Sequence, residues 1–251
     1  QKEYNLYGLP PLPFNDDLVD FIEEKQTYGL YQLGAEFVFY DSYFKTLKTS
    51  ISHFNDFFGS EEVAFSLKPN FNFPLYRIDN RLEDLELQVS VDYLQGGFQQ
   101  NYANESNIAY RFFNLGIQPT YQIEWNRADI QLGTKIYFSL DLENKLTHIL
   151  SYPDIRITYP FVSDLATLYI GARGGLFMNS FQSITKKNPF VSPTLFLTQT
   201  NQQYNLFGGI NGTFSSRISF SLEASYKSDE DYPLFVRNNS KANGDFDANT
   251  P

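Results

Sequence analysis

His53 and His148 are the only imidazoles in the chain, and they fall in separate predicted strands. Neither has the i, i+4 partner that zinc sites use, and with no cysteine there is neither a thiolate ligand nor a disulfide. No G-x-S-x-G, H-E-x-x-H or Gly-rich phosphate loop occurs. Gly171, Gly174 and Gly175 sit inside a strand pattern, where glycine relieves crowding or allows curvature. Without a nucleophile–base or metal constellation, the chain is expected not to be an enzyme and to need no cofactor. One weak metal pattern remains. Asn243, Asp245 and Asp247 have the two-residue spacing that opens a calcium loop, with Asp229, Glu230 and Asp231 nearby. The bidentate acid of a full site does not follow before Pro251, so a solvated acidic loop is the competing reading.

Six charged residues are the other candidates: Glu124, Asp129, Lys135, Arg173, Arg217 and Glu223. All share the polar parity of their predicted strands. In a closed barrel they face the lumen, where they either pair as ions along a pore or hydrogen-bond across a filled interior.

The element that positions the first three runs from Phe113 to Leu142. From 113 to 125 the odd residues are Phe113, Leu115, Ile117, Pro119, Tyr121, Ile123 and Trp125, and the even ones are polar or Gly. After Asn126-Arg127 the parity flips: Ala128, Ile130, Leu132, Ile136, Phe138, Leu140 and Leu142 are apolar, interrupted by Thr134. A two-residue turn with flipped parity keeps one face of an antiparallel hairpin apolar. Each strand is more than twice the usual length of about 5–6 residues. At about 3.3 Å per residue and a tilt of about 45°, each would cross a bilayer core of about 30 Å. Ile130, Leu132, Ile136, Phe138 and Leu140 are therefore expected to face lipid, and Trp125 to sit in a periplasmic aromatic belt.

Composition agrees with a barrel. Aromatics make up 18% of the 251 residues, led by 25 Phe and 18 Tyr, as girdles require. Mean hydropathy is −0.36, and no apolar run approaches the roughly 18 residues of a membrane helix. A net charge of −10 argues against nucleic acid as a partner. Gln1 does not open a signal peptide, which implies either removal or an internal piece.

Taken in order, residues 1–26 read as loop, with Asp16 to Glu24 either a short acidic helix or part of that loop. Residues 27–227 hold about ten strands, and 228–251 read as loop or tail. Pro69 should break its strand or force a bulge. The stretch 179–202 is long and irregular. Short connections near 41, 126, 163 and 215 alternate with longer ones at 55–61, 95–106, 179–202 and after 228. Periplasmic turns and extracellular loops alternate in the same way in outer-membrane barrels. The exceptions are a short bend at 143–145 and a longer link at 74–84. The expected fold is thus all-β: one antiparallel transmembrane β-barrel domain over 1–251. Both ends lie on the long-loop side, so it should be an excised middle portion of a larger barrel, or a barrel whose outer strands the pattern does not show.

Several stretches resemble the large outer-membrane barrels of the Bacteroidota that are labelled TonB-dependent receptor-like. They are Asn188 to Phe214 with the strand ending Glu223-Ala-Ser-Tyr-Lys227, Tyr137 to Asp141 with Tyr152-Pro-Asp154, and Tyr4 to Pro10. The likeness covers most of the chain and lies in wall and loop patterns. It implies a bacterial outer-membrane barrel, the barrel portion of a transport or uptake receptor. Its partners would be outer-membrane lipid and other outer-membrane or periplasmic proteins. The plug domain and TonB box of such receptors are not found in this sequence. Two alternatives stand beside it: a non-transporting scaffold barrel in a surface complex, and a soluble β-rich binding or adhesin module.

Overall fold

The computed structural model describes residues 2–5, 25–77, 83–100, 108–162, 165–189, 191–192, 194–215 and 217–235. The calcium pattern at Asn243, Asp245 and Asp247, and the acidic stretch Asp16 to Glu24, lie outside them. Eleven strands form one sheet in sequence order, each antiparallel to the next. They are β1 (Lys2–Asn5), β2 (Lys25–Val38), β3 (Phe44–Asp56), β4 (Glu61–Pro74), β5 (Asp84–Gly97), β6 (Ala109–Trp125), β7 (Ala128–Asp141), β8 (Leu146–Val162), β9 (Ala166–Phe177), β10 (Thr200–Ser215) and β11 (Ile218–Glu230). One seven-residue helix, α1 (Phe181–Lys187), lies between β9 and β10.

Strands β2 to β11 are the ten read from periodicity. The stretch 1–26 is not all loop, however: Lys2–Asn5 pairs with Lys25–Tyr28, a segment too short to show a period. The tail begins later than expected, because β11 continues to Glu230. The stretch 179–202 is not irregular throughout: it contains α1, and β10 starts at Thr200.

The turns follow local chemistry. Asn126 opens the β6–β7 turn in the left-handed region at φ 56°, which Asn tolerates better than most residues. At the β7–β8 turn, Asp141 Oδ1 accepts from Glu143 N at 3.1 Å and from Asn144 N at 2.9 Å, an Asx-type turn. Pro69 interrupts one ladder without a bulge. Pairing to β5 stops at Leu67↔Val91 and resumes in the same register at Asn70↔Gln88. Pairing to β3 continues through Leu47↔Pro69. A missing N–H removes a donor on one side only.

The registers sort side chains onto two faces, since directly opposed residues share a face. The apolar face runs, for example, Leu33, Ile51, Phe65, Tyr93, Phe113, Leu140, and farther along Leu132, Ile155, Ala172, Leu206, Tyr226. Across the middle of β2 to β11 this face carries no Asp, Glu, Lys or Arg. It is also uncovered: Leu33 is 73% exposed, Ile149 75% and Leu222 68%. The opposite face carries the charges, and the buried core lies on that side.

Candidate functional site

At the end of the sheet with the long connections, the polar face becomes apolar. Tyr28, Phe54, Leu94, Tyr110 and Phe112, all of polar parity, form one buried cluster with Phe98, Ile108 and Phe181. Helix α1 covers them. Ser180 caps it, its hydroxyl accepting from Ser183 N at 3.0 Å. Phe181, Ile184 and Thr185 are its buried residues, the i, i+3, i+4 set of one helix face. The Phe181 ring meets Phe98 edge-on at 5.0 Å and Phe54 at 5.8 Å between centroids.

Within this cluster lies a buried carboxylate. Glu62, at the start of β4, is 3% exposed. Its Oε2 accepts from Phe181 N at 2.6 Å and its Oε1 from Gln182 N at 3.3 Å. The Tyr110 hydroxyl also donates to Oε2. Thus the free amides of the helix's first turn find their acceptor on a strand 119 residues earlier. Tyr110 reaches Glu62 because its register partner is Gly96; a Cβ there would collide with the Tyr110 ring. Gly171 sits likewise beside Phe207, whose Cε1 would lie 2.9 Å from an added Cβ.

The rest of the segment is tied down along its length. Tyr28 donates to Pro189 O at 2.6 Å. Gln199 accepts from Asn114 Nδ2 at 2.6 Å and donates to Ser139 Oγ at 3.0 Å. Asn179 donates to Thr198 O at 2.8 Å, closing the base of the segment. So the β9–β10 connection folds across the polar face and bonds to β2, β4, β6 and β7.

Farther along the same face lies a cavity of about 340 Å³. Its wall includes Lys68, Asp92, Asn114, Gln118, Lys135 and Tyr137, with Met178 from the inserted segment. Lys68 Nζ is 3.8 Å from Asp92 Oδ1, which also accepts from Ser66 Oγ at 2.6 Å. Lys135 Nζ is 3.8 Å from Asp154 Oδ1, and Gln118 donates to Asp154 Oδ2 at 2.7 Å.

Of the six charged residues singled out in the sequence, five share this face. Glu124 and Asp129 oppose each other next to the β6–β7 turn and are exposed. Lys135 is half-buried at the cavity. Arg173 lies over the Phe207 ring at 4.8 Å, and Glu223 accepts from the Tyr169 hydroxyl at 2.8 Å. Arg217 is not on a strand but in the β10–β11 turn, because β11 begins one residue later, at Ile218. Ile130, Leu132, Ile136, Phe138 and Leu140 lie on the apolar face. Trp125 closes β6 beside its turn and is 66% exposed. His53 stands on the apolar face near Tyr31, while His148 opposes Ser139 on the polar face. Among the described residues no cluster of three or more His, Asp or Glu is arranged to hold a metal.

Glu62, Tyr110 and Phe181 were not legible as a unit in the sequence. The available signal was the break in parity at Leu94, Tyr110 and Phe112, where large apolar residues occupy positions reserved for polar ones.

No known protein family, no curated protein and no solved structure matches this chain.

Proposed function

We propose that the sheet is the wall of an outer-membrane β-barrel, the barrel portion of a TonB-dependent receptor-like uptake protein of a diderm bacterium. The observation that carries this reading is the asymmetry of the two faces. A continuous, uncharged and exposed apolar band runs across ten long strands, while ion pairs and buried polar groups lie on the other side. In water such a band is far larger than the apolar patches that soluble monomers tolerate; in lipid it is the required surface.

Aromatic placement supports it. At the short-turn end, Phe39, Phe44, Phe71 and Phe73 form a chain of ring contacts from 4.5 to 6.3 Å, with Trp125, Tyr159 and Phe161 farther round the same end. Phe113 and Trp125 are twelve residues apart on β6. That is about 40 Å of strand, or roughly 28 Å of height at about 45° of tilt, close to the apolar band of a barrel. The short turns then face the periplasm, and α1 enters the lumen from outside. The wall is part of a larger barrel, because β11 has one neighbour among the described residues and lipid does not tolerate an unpaired edge.

The second reading is a non-transporting scaffold barrel. It is favoured by the inserted segment, whose apolar packing blocks one end of the polar face. Detergent extraction tests the membrane reading: the protein should need detergent and run with heat-modifiable mobility on a gel. A chain that stays monomeric in buffer, with unchanged mobility on heating, is instead a soluble module. Single-channel recording on the folded protein then separates transport from scaffold.

A further inference from the structure

On the apolar face, at the long-connection end, lies an open depression of about 510 Å³, of the size that holds small ligands. The row Phe65, Tyr93, Phe113, Leu140 ends the apolar band there. Beyond it the same face turns polar, first through Val63, Gln95 and Arg111, then through Glu61, Gly97 and Ala109. Gln95 and Gly97 stand about 7–13 Å along β5 from Tyr93, or roughly 5–9 Å of height at about 45° of tilt. That is the level of lipid headgroups. The floor is bare: a Cβ added at Gly97 meets nothing closer than Ile108 O at 3.8 Å and Ala109 Cβ at 3.9 Å. Around it stand groups with hydrogen-bonding capacity to offer. The Tyr93 hydroxyl donates to Gln95 Oε1 at 2.5 Å, which fixes that amide and leaves its N–H donors free. The Gln99 amide lies across Gly59, where an added Cβ would sit 2.5 Å from its Cδ. Among the described residues, neither this amide nor the Glu61 carboxylate has a hydrogen-bond or ion-pair partner. Glu62 also borders the depression, but α1 and Tyr110 engage its carboxylate on the other face. Glu61 and Arg111 are the charged residues of the two rows, one of each sign, so the place carries no net charge.

We propose that this depression holds the uncharged sugar headgroup of a membrane glycolipid. A hydroxyl both donates and accepts, so neighbouring sugar hydroxyls would donate to Glu61 and accept from the Gln95 and Gln99 amides. The C–H face of the ring would lie on Gly97 and Ala109 beside the Tyr93 ring, and the acyl chains would run over Phe65 and Phe113 into the band. The absence of net charge disfavours a phosphate headgroup. The inference rests on the apolar face lying against lipid.

Native mass spectrometry on the full chain in phosphatidylcholine nanodiscs tests it. Each preparation carries the same small fraction of one guest lipid: glucosyl diacylglycerol, galactosyl diacylglycerol, phosphatidylglycerol or diacylglycerol. At least one glycosyl lipid should stay on the protein on the order of tenfold more than phosphatidylglycerol or diacylglycerol does. Gly97→Val suits a strand and fills the floor, so it should bring retention down to that of diacylglycerol. Glu61→Ala, at an exposed position, should weaken retention by roughly tenfold, as the loss of a hydrogen bond to a charged group does. The methyl glycoside of the same sugar, which lacks the chains, should not displace the lipid at equal concentration. Equal retention of the guest lipids, preference for phosphatidylglycerol, unchanged retention in both variants, or displacement by the methyl glycoside each overturns the glycolipid site. Heat-modifiable mobility is measured on the same samples. Loss of the preference with mobility intact removes the site alone, and loss of that mobility removes the barrel reading.

Discussion

The Glu62 carboxylate and the Phe181 backbone amide are 2.6 Å apart, with 119 residues of chain between them. This contact joins the first turn of α1 to the inside of the sheet. It makes the β9–β10 connection part of the polar face.

Glu62→Ala should release that helix. The mutation leaves two helix amides and the Tyr110 hydroxyl without their acceptor, at a cost of about 1–3 kcal/mol. Amide exchange across Phe181 to Lys187 should then quicken by roughly ten- to a hundredfold, with exchange in β6 and β7 unchanged. Exchange at wild-type rates in α1 would show that the carboxylate does not hold the segment.

Phe181→Ala attacks the same packing from the apolar side. The ring is 1% exposed, so its loss should destabilise the fold by about 3–5 kcal/mol, read as a lower urea midpoint of the detergent-folded protein. A shift below about 0.5 kcal/mol would mean that the segment is dispensable to stability.

Ile136 and Lys135 are adjacent in β7 and on opposite faces. An arginine on a lipid face at mid-bilayer costs about 2–4 kcal/mol, while a lumen change costs little. Ile136→Arg should therefore impair membrane insertion strongly, and Lys135→Gln should leave it near wild type. Single cysteines at positions 132, 135, 136 and 138 can be labelled without interference, because the chain has none. Only position 135 should react with a water-soluble maleimide in vesicles. Labelling at 136 with protection at 135 would reverse the face assignment.

Trp125 is the only tryptophan, so its fluorescence reports a single place. At a membrane interface it should be quenched most by lipids brominated close to the headgroup, and little by those brominated at the chain ends. Strongest quenching at the bilayer centre would shift the whole band by half a membrane.

Much of the sheet was readable along the chain. Strand periodicity is a local property: each strand from β2 to β11 writes its apolar face at every second residue, and a two-residue turn at Asn126-Arg127 must flip the parity. The faces of Lys135 and Ile136 follow from that alone. Other features have no local period. Lys2–Asn5 is too short to alternate, and it becomes a strand only because Lys25–Tyr28 offers an edge. Arg217 left its expected strand by one residue, a boundary set by where pairing with β10 ends. The 179–202 stretch, read as irregular, carries a helix whose cap at Ser180 is local but whose acceptor at Glu62 is not. Nothing near residue 62 announces a partner 119 residues later. The sheet order brings the strand bearing Glu62 under the loop bearing Phe181. The apolar break at Leu94, Tyr110 and Phe112 then keeps water from the carboxylate, so that a helix amide becomes its available donor.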